Sequence, residues 1–125
     1  MVNVQIFGMK NSQPTRAAER FFKERGIKLH MVDLKQKPFA PGEIKRFIDR
    51  FGLAGLLDIE SKAYIDAGLK YLKVSESEML ARIEKEPKLL RLPLVRAGNR
   101  LSVGTDDGAW KAMLDAGPRA DTLPR

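Results

Sequence analysis

The 125-residue sequence predicts an α/β fold built on a mixed four-stranded sheet, in the order β-α-β, a helical insert, then β-β-α. Three observations carry that prediction. An alternating apolar run opens the chain and is followed by a helix start and a second strand-like run. Residues 41–86 then repeat helical stripes and caps without a strand pattern. Finally, two short apolar runs flank a glycine-containing turn and lead into a last helix.

Each element follows from its residues. Residues 2–7 (VNVQIF) alternate and precede Gly8, which suits a strand. Asn11-Ser12-Gln13-Pro14 is a helix start, with capping side chains followed by a proline in the first turn, where its missing N–H costs nothing. Ala17, Ala18, Phe21 and Phe22 share one helical face, and Gly26 stops the helix. Residues 28–34 (KLHMVDL) form the second strand, and a right-handed crossover makes the first two strands parallel. Pro41 opens a helix with Ile44, Phe47, Ile48 and Phe51 on its apolar stripe and Gly52 at its end. Shorter helical pieces are expected at residues 53–57 and 60–67. Ser75 and Glu78 read as a capping box ahead of Met79, Leu80 and Ile83, with Pro87 beyond the helix end. Residues 93–96 and 100–103 read as strands around a three-residue loop, Ala97-Gly98-Asn99. Asp106 caps a last helix carrying Trp110, Met113 and Leu114, which Gly117-Pro118 is expected to terminate. The domain expectation is therefore a single domain over residues 1–117, an insert at about 41–86, and a loose tail at 118–125. Phe21, Phe22, Phe47, Phe51 and Trp110 are expected in the core, with Tyr64 and Tyr71 capping the insert. The split sheet with a parallel and an antiparallel half is the thioredoxin architecture.

Composition excludes several function classes. There is no cysteine, so disulfide scaffolds, thiolate metal sites and cysteine nucleophiles are absent. A single histidine, His30, argues against a histidine-built metal site or a Ser–His triad. No run of about 18 apolar residues is present to span a membrane, and the apolar start is too short for a signal peptide, so a soluble, cytoplasmic protein is expected. The net charge is +7 and unevenly spread. Residues 10–37 hold eight basic and three acidic side chains, and residues 88–100 hold four basic and no acidic ones. Two such segments can meet as one positive surface for an anion or an acidic partner. The basic stretches lack interleaved aromatics and any nucleic-acid-binding motif, so nucleic acid is not the expected partner.

Two separated blocks carry a family resemblance. VQIFGMKNSQPTRAAERFFKERGI (residues 4–27), and LLRLPLVRAGNRLSVG (residues 89–104) followed by DDGAW, resemble the arsenate reductase and Spx family. Its members are thioredoxin-fold, glutaredoxin-linked proteins with a helical insert. The resemblance implies that Ser12 stands at the family's catalytic Cys position, where a thiolate attacks the oxyanion or a disulfide. It implies an anion-binding frame of Lys10, Asn11, Ser12 and Arg16, with Arg91 as a further cation. It also implies a cis Leu92–Pro93 bond beside Ser12. Two features depart from the family pattern. Leu92 precedes the proline where the reductases carry an oxyanion-holding arginine, and the insert reads Asp58-Ile59-Glu60-Ser61-Lys62 where the family often has a base. The residues themselves equally allow Ser12 to be a plain N-cap. The function expected is a cysteine-less binding or regulatory module. Its partner would have an acidic surface, RNA polymerase by analogy with Spx-like relatives, or be a small oxyanion; no cofactor is expected. The alternative, if Ser12 replaces a native Cys, is an arsenate reductase-like oxidoreductase linked to glutathione.

Overall fold

The computed structural model describes residues 3–122. Its strands are β1 (Asn3–Gly8), β2 (Lys28–Asp33), β3 (Leu94–Ala97) and β4 (Arg100–Val103), in the sheet order β2-β1-β3-β4. β3 runs antiparallel to both β1 and β4, with Phe7 opposite Leu94 and Leu94 opposite Val103. The helices are α1 (Gln13–Glu24), α2 (Pro41–Phe51), α3 (Leu53–Leu56), α4 (Lys62–Asp66), α5 (Glu76–Lys85) and α6 (Asp107–Thr122), with 3₁₀ turns at Leu69–Tyr71 and Pro87–Leu89. This is the predicted mixed-sheet α/β architecture.

The chain divides into two compact units. The first holds residues up to 32 and from 92 onward, and residues 33–91 form the second. In the first unit Val4, Ile6, Val95 and Ala97 point to one face of the sheet and pack with Ala18 and Phe22 of α1 and Trp110 and Met113 of α6. Alternation along a strand sends Asn3, Gln5 and Arg96 to the other face. The ring of Phe22 lies 5.0 Å from that of Phe21 and 6.3 Å from that of Trp110. Burying one such aromatic stabilises the fold by about 1.5–3 kcal/mol. In the second unit Ile44 and Phe47 of α2 and Met79 and Ile83 of α5 are buried. Leu57 bridges Leu90, and Arg91 N–H donates to the Leu56 carbonyl at 2.7 Å.

Four details differ from the sequence reading. Ala97 pairs with Arg100, so the hairpin loop has two residues, Gly98-Asn99. Gly98 takes φ +62° at the first loop position, the placement a type II′ turn requires. Phe51 is exposed, because it closes α2 at Gly52 where the apolar stripe has run past the packed face. Tyr71 is 85% exposed and does not cap the insert. α6 continues through Gly117-Pro118 to Thr122. A proline lacks only its own N–H, so it removes one hydrogen bond of the ladder, which resumes beyond it. Of the expected loose tail, residues 123–125 lie outside the described residues.

Candidate functional site

The site begins where the chain leaves β1. Phe7 is opposite Leu94, and carrying the register one residue on sets Gly8 opposite Pro93. The Leu92–Pro93 peptide bond is cis, and Leu92 and Pro93 are buried. The Pro93 carbonyl accepts from Gly104 N–H at 2.9 Å, just after β4. Thus the exits of β1 and β4 and the entry to β3 share one end of the sheet, and α1 starts there.

Local chemistry fixes the loop. Thr15 is 1% exposed and its hydroxyl accepts from Met9 N–H at 3.4 Å. Its side chain lies against Gly8 so closely that a Cβ at Gly8 would overlap the Thr15 hydroxyl and methyl. Only glycine fits there, and that contact seats the helix start on the strand end. Ser12 is the N-cap of α1, with extended φ −89° and ψ 118°. Its Oγ accepts from Thr15 N–H at 3.3 Å, its carbonyl accepts from Arg16 N–H at 3.0 Å, and its own N–H donates to the Met9 carbonyl at 3.0 Å.

Few N–H groups at this helix start are left for a ligand. Pro14 has no N–H, and those of Ser12, Thr15 and Arg16 are engaged. Among the described residues of this turn, Gln13 N–H is the donor left for a ligand. The cations are better represented. Lys10, Asn11 and Arg16 are exposed, and no acidic residue sits in the first turn of α1. Gln13, Pro14, Arg16, Ala17, Arg20 and Thr105 line an open groove of about 470 Å³. Arg20 and Thr105 were not singled out from the sequence. Arg20 follows Arg16 by four residues, a spacing that places both on one helix face. Thr105 needed the β3–β4 pairing to bring it there. Arg91 belongs to the second unit, with an exposed side chain.

The arrangement limits the chemistry. A serine hydroxyl is a weak nucleophile unless a base takes its proton. Among the described residues the hydrogen bond of Ser12 Oγ is with Thr15 N–H, a donor and not a base. His30 lines a separate groove with Asn3 and Gln5, toward the other end of β1. Gly8 is three residues beyond Gln5, roughly 10 Å along an extended strand. Among the described residues no group of three or more His, Asp or Glu is placed to hold a metal ion. No helix among them is long and apolar enough to cross a membrane.

Residues 7–113 match the ArsC family, most of the chain. The chain belongs to the ArsC family. It is 29% identical over 107 residues to an arsenate reductase of Neisseria meningitidis, covering 83% of this chain and 92% of that protein. It is 24% identical over 116 residues to the global transcriptional regulator Spx 2 of Oceanobacillus iheyensis, covering 90% of this chain and 84% of that protein. An arsenate reductase structure from Vibrio cholerae superposes with a TM-score of 0.73 at 17% identity, covering 91% of this chain and 97% of that one. At that identity the likeness establishes the fold, which is thioredoxin-like. This ArsC-family chain differs from a thiol enzyme in its composition, since it contains no cysteine at all.

Proposed function

We propose that this ArsC-family chain is a non-catalytic binding or regulatory module. In this reading Ser12 occupies the position at which the family's reductases carry their nucleophilic cysteine. One observation carries the proposal: Ser12 Oγ, at the N-cap of α1, is used as a backbone cap and among the described residues has no base on it. A hydroxyl in that state has neither the nucleophilicity nor the low pKa of a thiolate at a helix start. The site keeps cations and a shaped loop, which suit recognition of an acidic surface or a weakly held oxyanion. The partner class follows the kinship with a transcriptional regulator, so RNA polymerase is the first candidate to test, in a cytoplasmic setting. The similarity to arsenate reductases keeps the enzyme as the competing reading. Its thiols would have to come from glutathione and glutaredoxin.

The two readings separate in one assay. The full-length chain, arsenate, glutathione, glutaredoxin and glutathione reductase are combined, and NADPH consumption is followed. The module reading expects the rate of the protein-free blank. A rate that scales with protein concentration would overturn it. In parallel, immobilised chain is expected to retain purified RNA polymerase at low salt. Absence of retention would remove that partner.

A further inference from the structure

A second groove lies away from Ser12, on the sheet face opposite α1 and α6. It measures about 440 Å³, and its lining includes Asn3, Gln5, Lys28, Leu29, His30 and Arg96. Gln5 sits directly across from Arg96 in the β1–β3 register. Lys28 and His30 come from β2, the neighbour of β1 on its other side. Lys28 belongs to the first basic stretch of the sequence and Arg96 to the second, so the fold brings the two stretches to one surface. No Asp or Glu among the described residues lines this groove.

We infer that this groove is a docking site for an extended acidic segment of a partner protein, with its carboxylates seated on Lys28 and Arg96. The inference deepens the module reading, on which it rests, by naming the surface used. Charge complementarity is the first argument: two fixed cations and an imidazole face the groove with no anion to satisfy them. The second is the geometry of Arg96. Its Nε donates to the Gly98 carbonyl at 3.0 Å, which holds the guanidinium in place and leaves its terminal nitrogens for a carboxylate fork. The third is spacing. β2 and β3 flank β1, roughly 10 Å apart, and alternate residues of an extended peptide lie roughly 7 Å apart, so two acidic side chains can reach the two cations. The amides of Asn3 and Gln5 between them both donate and accept, as a peptide backbone requires. Single-stranded nucleic acid would call for aromatic stacking platforms, and no Phe, Tyr or Trp lines the groove.

The test is an amide NMR titration of the full chain with a hexaglutamate peptide at low salt, repeated with hexauridylate RNA. Shifts are expected at residues 3–5, 28–30 and 96–98. Arg96→Gln and Lys28→Gln, each checked for a native spectrum, are each expected to weaken binding about tenfold, whereas Lys62→Gln, at a lysine outside the groove and paired with Asp66, leaves it unchanged. Arg96→Lys keeps the charge but loses the fork, and is expected to fall between. Peptide shifts at residues 12–20 and 105 would overturn the inference and leave the module reading standing. Absence of shifts at either place would overturn the inference and the acidic-partner reading together. Tighter binding of the RNA at the same residues would overturn the assignment of a carboxylate ligand.

Discussion

Adding a methyl group at Gly8 drives it into the side chain of Thr15, which is itself buried and hydrogen-bonded to Met9 N–H. Gly8→Ala is therefore expected to destabilise the fold by about 1–3 kcal/mol, the usual cost of overpacking. The clash disappears if Thr15 is shortened, so in a Thr15→Ala background the same change is expected to cost markedly less. Urea denaturation of the four members of this cycle checks the coupling; additive effects would exclude the contact as the cause. Ser102 is expected to behave in the opposite sense. Its hydroxyl is buried without a hydrogen-bond partner among the described residues. Ser102→Ala removes an unsatisfied polar group, so stability should be unchanged or rise by up to about 1 kcal/mol. A loss larger than that would show that the hydroxyl has a partner. Neither position is legible in the sequence. Gly8 reads as a glycine after a strand and Ser102 as a polar residue in one, because the contacts that define them are made only when strand, loop and helix close together.

Helix starts were the most readable elements, because an N-cap is a bond between residues two or three apart. Ser12, Ser61, Ser75 and Asp106 each accept from the backbone N–H three residues on. Ser61, not read as a cap, shifts the expected helix start at residue 60 to Lys62. The hairpin length and the exposure of Phe51 were not readable, since each depends on what an element meets. α2 exposes a weakness. Its N-cap is Ala40, which has no side-chain acceptor, and only Glu43 Oε1 reaches back, accepting from Ala40 N–H at 3.1 Å. Ala40→Asp supplies the missing acceptor at an exposed position with extended backbone, and is expected to raise stability by about 1 kcal/mol in thermal or urea unfolding. A neutral or negative effect would show that the first turn of α2 is satisfied by other means. At α1 the cap competes with a ligand for the same donor. Ser12→Gly frees Thr15 N–H and costs only a few tenths of a kcal/mol of stability. Sulfate binding, followed by the amide shifts of residues 13–16, is expected to be weak in the wild type and stronger in that variant. Equal affinity in the two would show that the cap does not limit the site.

At the scale of the whole molecule, the net charge of +7 is less informative than where it is unpaired. The sequence showed two basic stretches, but their meeting was legible only from the strand order, which sets β2 and β3 on either side of β1. Some other cations are already answered locally. Lys45 lies 2.9 Å from Asp49, and Lys62 lies 2.7 Å from Asp66, each one helical turn away. The Lys28–Arg96 face and the Arg16–Arg20 face of α1 each group cations with no acid among the described residues lining the groove, which favours an attractive field there. Retention on a cation-exchange column reads such a field, because a charged matrix orients the protein toward its most positive side. Lys28→Gln, Arg96→Gln, Arg20→Gln and Lys45→Gln each lower the net charge by one. The first three are expected to elute at clearly lower salt than the wild type. Lys45→Gln should elute close to it, since Lys45 lines neither groove and its pairing with Asp49 leaves it little share in the field that meets the matrix. Equal shifts for all four would show that the column senses total charge alone, and that the two faces carry no field of their own.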